Sequence, residues 1–249
     1  MRMVLLLAAA AAAAPPPSSV PPERVAQPSD MGFVTALDGD CTHGGRASGG
    51  GYQFVGGCAA ASRSPDGRFA VRQERPRAAD TDGVGGEITL TDVKGRVLDT
   101  IDALRDDMPY VVFWAPRGDW FFVNHYLGSG QDRLRLFEVV NGTVVERSDI
   151  YADVIRAMVE RYPCLSRHAS VVASGWRWSR DGRRILLVAY SRPDACALEP
   201  GEKGPAGDWE ALWMIGDIGT GRVQRDTIRV RGHAEPLPPP PHDGPYADF

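Results

Sequence analysis

The sequence predicts an all-β chain built from four-stranded antiparallel units, three recognisable and a partial fourth before them, with one inserted α-helix. Three observations carry that expectation. A strand–turn–strand pattern occurs three times. Each copy is followed by another apolar run, a glycine turn and a fourth short apolar run. In the longest interval between copies the apolar spacing changes from that of a strand to that of a helix.

The copies are residues 62–71 (SRSPDGRFAV), 114–123 (WAPRGDWFFV) and 178–187 (WSRDGRRILL). Aligned on Gly67, Gly118 and Gly182, Trp114 coincides with Trp178, and Arg63 holds that position in the first copy. Pro65 suits the second turn position, where φ near roughly −65° is wanted, and Asp66 and Gly67 tolerate the conformations that close the turn. The runs 69–71, 120–123 and 185–188 are continuously apolar, as in strands buried on both faces. Further runs at 88–90, 134–137 and 212–215 precede Lys94-Gly95, Asn141-Gly142 and Thr220-Gly221. Asn-Gly is the strongest hairpin signal of the three. Val97-Leu98, Val144-Val145 and residues 223–230 supply the fourth strands. Four antiparallel strands per copy make a propeller-like blade, at about 60–103, 110–150 and 170–232.

These segments resemble the exported TolB-like and WD40-like propeller repeats, whose signature is Trp-Ser-Pro-Asp-Gly followed by an apolar strand. The resemblance covers about residues 60–232. It implies a β-propeller architecture that serves scaffolds, binding proteins and the non-catalytic domains of peptidases. The first copy alone keeps Ser-Pro-Asp-Gly; the second reads Ala115-Pro116-Arg117-Gly118 and the third Ser179-Arg180-Asp181-Gly182. Propellers usually close with at least about four blades. Residues 31–60, with strand-like pieces at Phe33-Val34 and 52–55, are expected to supply a partial fourth sheet; the other solutions are an open stack or a homodimer.

The helix falls at about 150–162. Ile150, Val154, Ile155, Met158, Val159 and Tyr162 recur at helical spacing, with Asp153, Arg156, Glu160 and Arg161 on the solvent side. Covering a sheet face or rim is its expected work.

The ends read differently. Arg2 and the apolar run 4–14 describe a secretory signal peptide over 1–14, because the run is far shorter than the roughly 20 residues a membrane span needs. The mature chain is expected to be periplasmic or secreted, without a transmembrane segment. A Pro/Ser-rich linker follows at 15–30, the folded domain at 31–232, and a Pro-rich tail at 233–249, read as a solvated tether. Export makes the four cysteines candidates for disulfides. If 179–182 is a turn, Cys164 and Cys196 lie beyond the same open end of one hairpin. That favours a Cys164–Cys196 bond and leaves Cys41–Cys58 to close a glycine-rich loop.

The 249 residues are 43% apolar and 24% charged, an ordinary globular composition. The formal charge is −4, and all basic residues except Lys94 and Lys203 are arginine. With no basic excess to neutralise phosphates, a nucleic-acid partner is not expected. No C-x-x-C, G-x-S-x-G, H-E-x-x-H or Walker motif occurs. Asp80-Thr81-Asp82-Gly83 is similar to part of a calcium loop, but Ala78 and Thr89 hold its first and twelfth positions.

The ligand-binding candidates are Asn124, His125, Asp132, Arg133, His168 and Trp209. His125 ends a strand before a polar loop, and with Asp132 and His168 it has the donor types of a metal or acid–base site. Trp209, outside the strand runs, is the candidate for an exposed ring. Trp176 and Trp178 alternate, which places both on one side of a sheet. No catalytic residue, resident metal or cofactor is expected. The function expected is an exported non-catalytic binding or scaffold module of the bacterial cell envelope, for an envelope protein or a small ligand bound by loops 124–133 and 192–208. The alternative is a secreted enzyme or metal-binding protein with a polar site around His125 and His168.

Overall fold

A computed structural model describes residues 45–46, 51–54, 60–74, 87–104, 109–126, 132–163, 165, 171–191, 211–231 and 239–249. The described strands are β1 (Gly45–Arg46), β2 (Tyr52–Phe54), β3 (Ala60–Arg63), β4 (Phe69–Gln73), β5 (Ile88–Asp92), β6 (Val97–Thr100), β7 (Tyr110–Trp114), β8 (Trp120–Tyr126), β9 (Asp132–Val140) and β10 (Thr143–Glu146). Helix α1 (Asp149–Arg161) follows, then β11 (Val171–Trp178), β12 (Arg184–Ser191), β13 (Ala211–Asp217), β14 (Arg222–Val223) and β15 (Arg229–Arg231). The chain is all-β with a single α-helix among its described residues.

Strands β3 to β6 form one antiparallel sheet in sequence order. The others form a larger sheet in the order β1-β2-β7-β8-β9-β11-β12-β13-β14, with β10 also on β9 and β15 on β13. Its one parallel contact joins β9 to β11 at Arg133 and Ala173. The expected partial fourth sheet does not stand alone. Instead β2 pairs antiparallel with β7, Phe54 opposite Tyr110, and extends the larger sheet. An uncovered β7 edge would leave a row of N–H and C=O groups without partners, and the Phe54 ring stacks on Tyr110 with centroids 4.8 Å apart.

The continuous apolar runs follow from a sheet buried on both faces. Alternate residues of β7 and β8 go to opposite layers: Val111, Phe113 and Phe122 to one, Tyr110, Val112, Phe121 and Val123 to the other. On the first face, Ile150, Val154, Ala157 and Met158 of α1 pack with Leu134, Leu136, Leu187, Leu212 and Met214. On the second, Val71, Ile88 and Leu90 of the smaller sheet pack with Phe121, Val123 and Phe137. The remaining half of that face, over β11 to β13, is covered by residues 239–249 through Tyr246. The expectation of a free tether therefore fails for this stretch, because Tyr246 gives it an apolar anchor.

Two further expectations are corrected. Asp153 does not face solvent: it is buried, and accepts from the Val223 N–H at 2.9 Å, from Arg225 at 2.9 Å and from Arg156 at 2.7 Å, tying α1 to β14. Trp176 and Trp178 do not share a face. The β11 register slips between Gly175 and Arg177, so the extra residue sends Trp176 to the layer under Tyr246 and Trp178 to the layer under α1.

The three turns are built alike. Gly67, Gly118 and Gly182 have φ of 72°, 73° and 69°, a region closed to most side chains. In the first and third, a serine hydroxyl (Ser64, Ser179) donates to the aspartate two residues on, at 2.7 and 2.6 Å, and accepts the N–H of the strand that follows. Between successive copies of the repeated pattern one contact recurs. Trp114 Nε1–H donates to the Ser62 carbonyl at 3.2 Å, and Trp178 Nε1–H donates to the Phe113 carbonyl at 2.9 Å. Donors and acceptors occupy equivalent places in the aligned copies.

Candidate functional site

Strand alternation separates the first two candidates. Asn124 and His125 are consecutive on β8 and project to opposite layers, so they cannot line one pocket. Asn124 is buried, and both ends of its carboxamide are engaged. Nδ2–H donates to the Gly175 carbonyl at 2.7 Å, and the Gly175 N–H donates to Oδ1 at 2.8 Å. The side chain therefore joins β8 to β11 and offers nothing to a ligand. His125 is 1% exposed, edge-on to the Tyr110 ring at 6.4 Å. The Tyr110 hydroxyl donates to Gln73 Oε1 at 2.8 Å, and burial pushes its pKa well above the ordinary phenol value. These groups sit in the layer between the two sheets.

Arg133 lies opposite His125 in the β8–β9 register and is exposed, its guanidinium over the Tyr151 ring at 5.5 Å. Asp132 starts β9 opposite Tyr126; its side chain, together with His168, Trp209, all four cysteines, the segment 192–210 and the first 44 residues, lies outside the described residues. Among the described residues no three His, Cys, Asp or Glu side chains converge to hold a metal ion, and no helix is long and apolar enough to cross a membrane.

The face over β11 to β13 is chemically richer. Its floor is Leu186, Val188, Ala211 and Ile215, crossed by Trp176 and Trp213, whose rings stand perpendicular at 5.4 Å. Tyr246 is seated here, 1% exposed, with its hydroxyl directed between the carbonyls of Trp213 (3.0 Å) and Thr227. Pro240 and Pro241 are also buried. Two arginines clamp the segment. Arg229 lies over the Tyr246 ring at 5.1 Å and pairs with Asp243 at 2.6 Å. Arg184 lies over the Phe249 ring at 5.7 Å and pairs with Asp248, whose carbonyl accepts from the Arg180 N–H at 3.2 Å.

The β11 irregularity adds Arg177 to this face, since its register partner is Leu186. Arg177 is half-buried, and desolvation lowers its pKa below the ordinary arginine value. Among the described residues nothing accepts from Arg177 Nε, Trp176 Nε1 or Trp213 Nε1, although all three atoms are buried. The sequence pattern does not mark this face, because Trp176 and Trp213 fall within the strands of the third copy, where packing is the expected role of an indole. The available signal was the aromatic–acidic stretch Asp243 to Phe249, too apolar for a solvated tether.

No protein-family model matches the chain, and no curated protein matches its sequence.

Proposed function

We propose that the chain is an exported, non-catalytic binding or scaffold module of the bacterial cell envelope, made of three TolB-like, propeller-like blades in an open array. One observation carries the reading: Trp114 holds the Ser62 carbonyl as Trp178 holds the Phe113 carbonyl. The same contact relates the first unit to the second and the second to the third, the mark of repeated units stacked by one operation. Openness is supported at two places. Strand β2 occupies the edge of β7, and segment 239–249 occupies the third unit's face where a next blade would pack. An array of this kind offers broad surfaces to a partner, here an envelope protein. Export, signal cleavage and the bonds Cys41–Cys58 and Cys164–Cys196 belong to the same proposal.

Crosslinking in the native envelope, followed by native and denaturing mass spectrometry, tests it. The expected result is one protein partner recovered in stoichiometric amount, and a purified chain of bare mass less its signal peptide and the hydrogens of its disulfides. A native mass raised by one metal ion or small molecule, with no protein crosslink, overturns it in favour of an enzyme or metal-binding protein around His125 and His168.

A further inference from the structure

We infer that the face over β11 to β13 is a peptide-recognition groove, that segment 239–249 is its resident and displaceable ligand, and that the partner is another polypeptide presenting prolines followed by an aromatic residue between carboxylates. The resident defines the chemistry. Pro240 and Pro241 are buried, Tyr246 packs in the layer of the two perpendicular indoles, and Asp243 and Asp248 meet Arg229 and Arg184. Prolines docked beside aromatic rings and anchored by charge at the flanks form a recurrent mode of peptide recognition. This inference rests on the binding-module reading and names its site.

The resident leaves donors unused. Nε1 of Trp176, Nε1 of Trp213 and Nε of Arg177 are buried on this face without an acceptor among the described residues. A buried donor that lacks an acceptor is unfavourable, and segment 239–249 supplies no acceptor to these three. A free copy of the same peptide competes poorly, because attachment through residues 232–238 gives the resident an effective concentration on the order of millimolar. A second copy of this chain brings no new contact and is therefore not the favoured occupant. A different polypeptide whose carboxylate or carbonyl reaches Arg177 and the indoles gains what the resident lacks.

The probe is a fluorescein-labelled peptide of residues 239–249, titrated by anisotropy into the full-length chain and its Tyr246→Ala variant. The variant, its own anchor removed, is expected to bind the peptide saturably at micromolar concentration, at least tenfold more tightly than the wild type. A peptide carrying the same Tyr246→Ala change is expected not to bind. Absence of saturable binding by a variant that keeps the wild-type circular dichroism overturns the inference. If the variant does not fold, hydrogen exchange on the wild type decides. Amides of 239–249 are expected to exchange by local opening at least a hundredfold faster than those of β12 and β13; exchange only on global unfolding overturns the inference. In the envelope crosslinking, Arg177→Gln is expected to lower partner recovery several-fold, and unchanged recovery removes Arg177 from the partner's contacts and overturns that part. Failure of the titration leaves the crosslink standing, and failure of the crosslink leaves the titration standing, so the two readings fail separately.

Discussion

Asn124 and Gly175 are joined twice, by the Asn124 Nδ2–H to the Gly175 carbonyl at 2.7 Å and by the Gly175 N–H to Asn124 Oδ1 at 2.8 Å. Strand β9 lies between β8 and β11 in the sheet order, so this carboxamide supplies backbone pairing that the ladder does not. The approach requires glycine. A Cβ at position 175 would lie 2.5 Å from the Phe122 ring.

Asn124→Ala is therefore expected to leave both Gly175 backbone groups buried without partners, a loss of about 2–3 kcal/mol. Asn124→Asp keeps an acceptor but loses the donor and buries a charge, and is expected to be the worse of the two at neutral pH. Urea unfolding checks this through a lower midpoint at unchanged slope. A loss below about 0.5 kcal/mol for the alanine variant would mean that other groups satisfy Gly175.

The recurrent tryptophan contact makes a second prediction. Trp114→Phe and Trp178→Phe each remove one indole N–H from a backbone carbonyl while keeping an aromatic ring in place. Each is expected to lower stability by about 1 kcal/mol. Because the contacts lie in different interfaces, the double variant is expected to lose the sum within about 0.5 kcal/mol. A coupling well beyond that, measured by denaturant unfolding of the three variants, would show that the interfaces are not independent.

The strands and turns were legible because their signals are local. Gly67, Gly118 and Gly182 adopt positive φ where the aligned sequence wants tight turns, and Asn141-Gly142 has the two positive φ values of the hairpin it encodes. What the sequence hid was set by register and long-range pairing. Periodicity places Trp176 with Trp178, and only the slip beside Gly175 separates them. Asp153 looks like a solvent residue until Val223 N–H and Arg225, 70 and 72 residues away, converge on it. The candidates Asn124 and His125 part for the simplest reason: adjacent strand residues face opposite ways. Tyr246 was overlooked because prolines before it mimic a linker.

Tyr246 separates packing from charge on the β11–β13 face. Tyr246→Phe keeps the ring on Trp213 but removes the hydroxyl from the Trp213 and Thr227 carbonyls, with an expected loss of about 1 kcal/mol. Asp243→Asn removes an ion pair whose Asp243 side chain is 73% exposed while leaving Arg229 over the Tyr246 ring, and solvent screening limits its loss to below about 0.5 kcal/mol. The order of the two in thermal unfolding, and the insensitivity of the first to salt, checks that burial outweighs charge here. An asparagine variant less stable than the phenylalanine variant would reverse that ranking.

Asp153 ties the helix to the sheet and makes that tie depend on pH. Burial opposes its charge, but the hydrogen bond from the Val223 N–H, the Arg225 guanidinium and the nearby Arg156 outweigh burial and hold its pKa below the ordinary carboxylate value. A carboxyl with a depressed folded pKa binds protons more readily in the unfolded chain, so it stabilises the fold above the unfolded pKa of about 3.9 and loses that contribution as pH falls through the lower folded value. Hydrogen bonds from the Arg96 N–H and the Ser179 hydroxyl hold Asp92 and Asp181 low in the same way, so acid weakens the protein at several points together. Asp153→Asn isolates one of them. At pH 7 the variant is expected to be less stable by about 2 kcal/mol, since the charged interaction with Arg225 is gone while an acceptor remains. Below the unfolded pKa of about 3.9 the gap is expected to shrink, and to close once pH has fallen through the lower folded value, where the wild-type carboxylate is protonated as well. Urea unfolding of both chains across that range measures the gap directly. A gap that stays constant with pH would mean that the Asp153 charge contributes nothing and that the asparagine acts through packing alone.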